Sequence, residues 1–337
     1  MTKVFCDGAI GYGECTTGEK PFFSHETIDT AWIIIKEVLA PIIIGQDWTS
    51  PSEVSQWFKP VRGNQMARAA IENACWDLTA RARNIPLYKL LGGTLEKIPC
   101  GVSIGIQDTP EQLLEKIKTE VESGYRRIKI KIKPGWDYDI LRLVRQIYSD
   151  IPLSVDANSV YTLADINLLK RFDEFNLLMT EQPLGYDDIV DHSHLQKQIS
   201  TAICLDEPIT TIDQARKAIE LKSGRIINLK LGRVGGFSEA IRIHDYCYDA
   251  QIPVWCGGML EAGIGRSHNI AMSTLPGFSL PGDVSASKRY FKEDIIEPPV
   301  TVSKDGLINV PQVTSTGYEP KEDYIEKITV RKEVFSV

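Results

Sequence analysis

Short apolar runs alternating with amphipathic helical stretches from residue 98 onward predict an α/β protein built on a parallel (β/α) barrel. Three observations support this. Eight candidate strands recur between helices, charged residues close five of them at near-constant spacing, and no glycine-rich phosphate turn follows the first strand.

The candidate strands are Ile98–Ile104, Arg127–Ile132, Pro152–Val155, Leu177–Thr180, Ala202–Leu205, Ile226–Leu229, Pro253–Cys256 and Phe278–Leu280. Helical patterns fall between them at Pro110–Ser123, Asp137–Tyr148, Leu163–Phe172, Thr211–Leu221 and Phe237–Ala250. Parallel neighbours need such crossovers, because a tight turn cannot return the chain to the same end of the sheet. A doubly wound open sheet is the alternative, but Gly101-Val-Ser-Ile-Gly105 matches its phosphate-binding turn poorly. Ahead of residue 95 the texture differs. Ser24–Ala40 reads as one helix, and Met66–Leu78 as another, with Ala70, Ile71, Ala74, Cys75 and Leu78 on a shared face. Gly92-Gly93 ends that region. Residues 301–337 read as an extended segment and a charged tail, either solvated or packed back on the N-terminal region.

The chain has 337 residues, 43% apolar and 25% charged, enough for one large domain or one domain plus an accessory. Its 38 Lys+Arg against 45 Asp+Glu give 38 − 45 = −7, which argues against a nucleic-acid surface. No run of ~18 apolar residues is present to span a membrane; Trp32–Ile44 is broken by Lys36, Glu37 and Pro41. Met1-Thr2-Lys3 leads into no secretory pattern, and seven scattered Cys without a CxxC pair fit a reducing compartment. A soluble, cytoplasmic protein is expected.

The most informative signal is a ladder of charges. Lys131, Asp156, Glu181, Asp206 and Lys230 follow one another at intervals of 25, 25, 25 and 24 residues, one βα unit each. The C-terminal strand ends of a barrel carry its active site, so this phase brings five ionisable groups to one mouth. Asp156, Glu181 and Asp206 sit on adjacent strands, where three carboxylates repel unless a cation lies among them. Oxygen donors without matching His or Cys favour a hard ion, Mg²⁺ or a similar divalent such as Mn²⁺. Taken singly, each acid is as well explained as a helix N-cap at a βα turn.

Lys131 and Lys230 lie four strands apart in an eight-strand ring, facing each other across the mouth. A carboxylate substrate between them would offer one face of its α-carbon to each amine. Lys129 points to the same side as Lys131, and its charge should make Lys131 a usable base near neutral pH. The run Arg126-Arg127-Ile-Lys-Ile-Lys-Ile-Lys133 could also be a solvated or phosphate-binding strand. Inside a barrel pattern, Ile128, Ile130 and Ile132 would face the helices and the charges the interior. Lys230 supports a second chemistry, a Schiff-base aldolase, but that leaves the acids and Lys131 unexplained.

The ordered set Lys129-Ile-Lys131, Asp156-Ala-Asn158, Glu181-Gln-Pro183, Asp206-Glu207, Asn228-Leu-Lys230-Leu-Gly-Arg-Val-Gly-Gly236 and Gly257-Gly-Met-Leu-Glu261 resembles the enolase superfamily. Within it the chain resembles the muconate-lactonizing subgroup, in the branch of o-succinylbenzoate synthases and N-acylamino acid racemases. Phe58-Lys-Pro-Val-Arg-Gly-Asn64 and Pro281-Gly-Asp-Val-Ser285 extend the similarity from about Gly8 to beyond Tyr290. The resemblance implies a modified (β/α)7β TIM-like barrel over residues 96–299 and an α+β capping domain over 1–95, with 300–337 packing back on it. It implies Mg²⁺ on Asp156, Glu181 and Asp206, and acid/base roles for Lys131 and Lys230. Lys129, Asn228 and Glu207 are expected to support them, and Ser103, Gly258, Met259 and Glu261 to contact substrate.

The reaction implied is dehydration of 2-succinyl-6-hydroxy-2,4-cyclohexadiene-1-carboxylate in menaquinone biosynthesis. The alternative is racemisation of N-succinylamino acids, which uses the same lysines through the same enediolate. A dipeptide epimerase would carry an Asp-x-Asp that Gly257-Gly-Met-Leu-Glu261 lacks, and mandelate-type bases do not match Asp206-Glu207 and Lys230. Partners are then a small-molecule carboxylate and a second copy of the chain in a homo-oligomer. Two departures stand out. Family members usually begin about thirty residues earlier with a strand and a mobile loop, so the capping domain is expected to be N-terminally shortened, and a lid-deficient, non-catalytic relative is a competing reading. Pro208 also stands where Ser commonly follows Asp-Glu.

Other residues carry less. His192-Ser-His194 reads as capping and surface hydrogen bonding, Cys204 and Cys256 as small buried hydrophobes, and Trp32, Trp76 and Trp136 as packing aromatics. Gly235-Gly236 is either a tight turn or an anion site at a helix start.

Overall fold

The computed structural model describes residues 1–336. The chain opens with an antiparallel hairpin, β1 (Thr2–Cys6) and β2 (Ala9–Gly13), turning through Asp7-Gly8 with φ of 47° and 80°. Asp-Gly tolerates this mirror-image turn, whose twist matches the strands. Thr27 starts α1 (Ile28–Ile34) with a capping box shared with Thr30, and the helix continues through a π turn at Ile35–Leu39 into α2 (Ala40–Ile43). The helical pattern over Ser24–Ala40 is thus one rod that begins at its first good cap. Next come α3 (Ser52–Trp57), the long α4 (Gln65–Ala82) and α5 (Leu87–Leu90).

The sequence shows one apolar stripe on α4, yet nearly the whole helix is buried, including Glu72, Asn73 and Asp77. It lies between two layers. On one side, a Cβ at Gly11 would sit 2.1 Å from the Ala74 carbonyl oxygen and one at Gly13 1.9 Å from that of Ala70, so only glycine permits the approach. The other side meets the barrel.

The candidate strand Ile98–Ile104 divides. β3 (Lys97–Pro99) leaves the barrel to pair antiparallel with Leu307–Asn309, and β4 (Val102–Ile104) is the first barrel strand. β5 (Ile128–Lys131), β6 (Leu153–Asp156), β7 (Thr180–Glu181), β8 (Ile203–Leu205), β9 (Ile226–Leu229) and β10 (Val254–Cys256) follow in parallel, each beside its predecessor. Around them run α6 (Pro110–Glu122), α7 (Tyr138–Ile147), α8 (Ile166–Arg171), α9 (Val190–Gln196), α10 (Ile212–Leu221), the one-turn α11 (Leu231–Val234), α12 (Phe237–Asp249) and α13 (Gly263–Met272).

The eighth position is filled by residues 277–283 without a regular strand. Val254 N–H donates to the Gly277 carbonyl at 3.3 Å and Asp283 N–H to that of Cys256 at 2.8 Å, on the β10 side. On the β4 side, Gly101 N–H donates to the Gly282 carbonyl at 2.7 Å. The ring therefore closes as a modified (β/α)7β barrel. Ile128, Ile130 and Ile132 are buried against the helical shell, whereas Arg127 and Lys129 alternate with them and sit inside against Trp255, 4.6 and 4.7 Å from its ring centroid. Toward the C-terminus the chain returns to the hairpin and α4: Tyr12 Oη donates to Glu322 at 2.8 Å, and Arg81 lies 3.0 Å from Glu319. No helix among the described residues is long and apolar enough to cross a membrane.

His268 on α13 is buried with its ring edge-on to Phe237, centroids 5.4 Å apart. Burial lowers its pKa from 6.5 to about 4, against the pull of Asp77. The depressed value means that its contribution to stability is fully present above pH 6.5 and is lost as the pH falls toward about 4. His268→Gln should flatten that limb of a plot of urea midpoint against pH. An unchanged slope would assign the acid lability to other groups.

Candidate active site

Strand register builds the site. Lys131 pairs with Asp156 and Asp156 with Glu181, so three charged side chains end neighbouring strands side by side. Glu181 pairs with Cys204, and Asp206 follows two residues beyond on the same side. Lys230 follows β9, four strand positions from Lys131.

Lys129 Nζ lies 2.6 Å from Glu181, 3.0 Å from Asp283 and 3.7 Å from Asp156. Lys131 Nζ is 3.5 Å from Asp156, donates to Asn158 Oδ1, and stands 5.6 Å from the centroid of the exposed Phe23 ring. On the opposite side Lys230 Nζ is 2.6 Å from Asp206 Oδ2, and Arg233 Nε is 3.2 Å from Asp206 Oδ1. Asn228 donates to Glu181 at 2.7 Å, and Asn158 Nδ2 reaches Glu207 at 3.4 Å. Asp156, Glu181, Asp206, Lys129, Lys131, Lys230, Asn228 and Glu207 thus converge on one mouth.

Burial governs the electrostatics. It pushes the Glu181 carboxyl up to about 8, with the Asp156 charge adding to the rise. Glu207 is pushed up to about 7 by burial and by Asp206. Asp206 is itself buried, yet Arg233 and Lys230 hold its carboxyl below the usual range. Burial works against the ammonium of Lys129, but Asp283, Glu181 and Asp156 raise its pKa well above normal. Its charge is therefore engaged by carboxylates instead of standing free beside Lys131, a different electrostatic role from the one its sequence position suggests. Lys230 is likewise raised despite burial, chiefly by Asp206.

In this conformation amines stand between the acids, and no three His, Cys, Asp or Glu side chains among the described residues are grouped to hold a metal. The donor chemistry nonetheless fits a hard cation. Asp156, Glu181 and Asp206 are buried oxygen donors on adjacent strands, Glu207 Oε2 and Asn228 Oδ1 are buried without hydrogen-bond partners, and Asp206 Oδ1 has only the Arg233 ion pair.

Of the expected substrate contacts, Ser103 donates to Asp283 at 2.8 Å, and Met259 Sδ lies 4.0 Å from Arg233. Gly258 packs so that a Cβ would be 3.1 Å from the Asp283 carbonyl oxygen. Glu261 braces its own loop, accepting from Met259 N–H and Asn269, both at 2.9 Å. Elsewhere, His192 is a buried structural residue bonded to Asp188 and to Leu184 N–H.

Sequence reasoning missed Asp283, Arg233 and Asn158 as members of the site. Asp283 was findable: counting on from Lys230, Gly257 is 27 residues later and Asp283 a further 26, so the ladder reaches the eighth strand end. Arg233 and Asn158 lie beyond their strand ends, where no period marks them.

A closed barrel with acids and lysines on successive strand ends, joined to a hairpin-and-helix layer, defines the class. The chain belongs to the enolase superfamily. Residues 112–324 match the family described as enolase C-terminal domain-like, and residues 2–92 match the mandelate racemase / muconate lactonizing enzyme N-terminal domain. It is 51% identical to an o-succinylbenzoate synthase of Geobacillus kaustophilus, over 98% of this chain and 88% of that protein. It is 46% identical to an N-succinylamino acid racemase of Thermus thermophilus, over 98% of this chain and 89% of that one. A solved enolase-superfamily member from Listeria innocua superposes with a TM-score of 0.94 at 43% identity, covering 97% of this chain and 88% of the other.

Asp283 faces the fully buried Arg127 guanidinium as well as Lys129 and Ser103. Asp283→Ala would leave two buried cations short of a partner. A loss of roughly 3–5 kcal/mol in unfolding free energy is expected, read by urea titration. A loss under ~1 kcal/mol, the scale of an exposed pair, would mean that the segment closing the barrel is held by other contacts.

Proposed function

We propose that this chain is a Mg²⁺-dependent o-succinylbenzoate synthase, a carbon–oxygen lyase of menaquinone biosynthesis, with N-succinylamino acid racemase activity at the same site. The observation that carries the reading is the placement of Lys131 and Lys230 on opposite sides of the mouth, with Asp156, Glu181 and Asp206 between them. Relatives bearing each of the two names support it. Asp156, Glu181 and Asp206 would hold the cation, whose contribution is to neutralise charge that develops on the substrate carboxylate.

Lys131 takes the proton α to the carboxylate and returns one to the departing hydroxyl. Lys230 stabilises the opposite side of the enediolate with its ammonium. In racemisation the two amines exchange roles, one removing the α-proton and the other delivering one to the opposite face. Lys129 and Asn228 hold Glu181 in place through short contacts. A Schiff-base aldolase is a poorer fit, because Lys230 is paired with Asp206 and its pKa is raised, where that chemistry needs a free amine. We assign residues 96–299 to the catalytic barrel and 1–95 with 300–337 to the capping domain, residue 337 lying outside the described residues, and expect a cytoplasmic homo-oligomer acting on a small carboxylate.

Lys131→Ala should lower kcat for dehydration by at least ~10³-fold, from loss of the general base and its electrostatics, while leaving the far-UV circular dichroism unchanged. Substantial residual turnover would remove Lys131 from the mechanism. Dialysis against EDTA should abolish both activities, and Mg²⁺ or Mn²⁺ should restore them. Full activity in the chelated protein would refute the metal assignment.

A further inference from the structure

Helix α4 reaches from the N-terminal layer to the two loops that follow β8 and β9. Gln65 Nε2 donates to the Thr210 carbonyl at 3.1 Å, in the loop that carries Asp206. The loop after β9 is gripped more firmly. Glu72, fully buried, accepts from Phe237 N–H at 2.7 Å, Ser238 N–H at 3.0 Å, Ser238 Oγ, and Trp76 Nε1 at 2.7 Å. Its carboxyl therefore caps the first turn of α12, where exposed N–H groups and the helix dipole favour an acid. The Gly235-Gly236 turn does face an anion, and the anion belongs to the chain itself. Gly236 has φ 114°, and a Cβ there would lie 2.2 Å from Glu72 Oε2.

This cap is tied closely to Lys230. The Lys230 carbonyl accepts from Arg233 N–H at 3.0 Å and Val234 N–H at 3.2 Å, making Lys230 the first residue of the α11 turn. Gly235 and Gly236 follow at once, and Phe237 begins α12. Between the Lys230 amine and the Glu72 carboxyl stands one helical turn and a glycine pair. On the strand-end side, a Cβ at Gly257 would be 2.5 Å from Lys230 Cε, so the lysine stem is confined there too. Lys131, on β5, shares none of these contacts.

We propose that Glu72 is a positioning residue for Lys230: by anchoring the start of α12 to α4, it sets where the β9 loop places the Lys230 amine beside Asp206. The inference rests on the reading of Lys230 as an acid/base group. Misplacing a reacting amine by about 1 Å can cost ~10²-fold in rate, so loosening this anchor should weaken chemistry at one face of the substrate and spare the other. A cap that served only stability would affect both faces alike.

The test is exchange of the α-proton of D- and L-N-succinylphenylalanine in D₂O with Mg²⁺, followed by NMR. The enantiomer whose exchange is lost in Lys230→Ala is the one served by that lysine. Glu72→Gln should slow exchange of that enantiomer at least tenfold and of the other less than twofold. Ser238→Ala, which removes one of the four donors, should show a weaker loss on the same side. If Glu72→Gln does not fold, the Ser238→Ala asymmetry decides alone. Equal losses with both enantiomers, or no loss with either, overturn the role given to Glu72. A wild-type protein that fails to exchange both enantiomers overturns the two-lysine reading itself, and the inference with it.

Discussion

The constraint on which the site depends is the burial of three carboxylates on neighbouring strands. Strand register places Asp156 beside Glu181, with Asp206 one strand further on. Two like charges 4 Å apart repel by about 4 kcal/mol at an effective dielectric of 20. Glu181 bears the cost most visibly, its carboxyl driven up to about 8. The fold meets this demand with Lys129 and Asn228 on Glu181, and with Lys230 and Arg233 on Asp206. A cluster of carboxylates so placed attracts cations, whether side-chain ammonium groups or a divalent ion.

The same economy of charge holds the barrel shut. The eighth position has few ladder hydrogen bonds, since residues 277–283 make only isolated bridges to β10 and to the chain before β4. Asp283 adds what the ladder lacks. It binds Arg127 and Lys129 from β5 and its approach, and Ser103 from β4, so one carboxylate ties three positions of the ring together. Lys129 stands between this closure and Glu181, which couples the integrity of the barrel to the charge balance at its mouth.

The charge ladder was legible because a βα unit has a nearly fixed length, so strand-end residues recur in phase. Interior and shell faces of β5 were legible from period-two alternation. What escaped depends on partners distant in sequence. Ile98–Ile104 reads as one strand, but its first half pairs with Leu307–Asn309, some two hundred residues on. The Asp7-Gly8 hairpin had a local signal in its turn dipeptide. The helices α9 and α11 are too short to show a period. No spacing in the sequence sets Glu72 apart on its helix, and only the packing of α4 between two layers shows that it faces a helix start.

The two lysines are not equivalent. The Lys131 side chain is 33% exposed, with Asn158 and the more distant Asp156, 3.5 Å away, as its partners. Lys230 is 10% exposed and clamped as an ammonium against Asp206. On the proposed reading, dehydration asks only Lys131 to cycle its proton, while Lys230 remains charged and stabilises the enediolate. Racemisation asks Lys230 to give up its proton as well, against the pull of Asp206. The asymmetry therefore favours dehydration unless Asp206 turns toward another cation and relaxes its hold on the lysine. The balance between the two reactions then lies less in the amines themselves than in how firmly Asp206, Arg233 and the loop that begins at Lys230 are held.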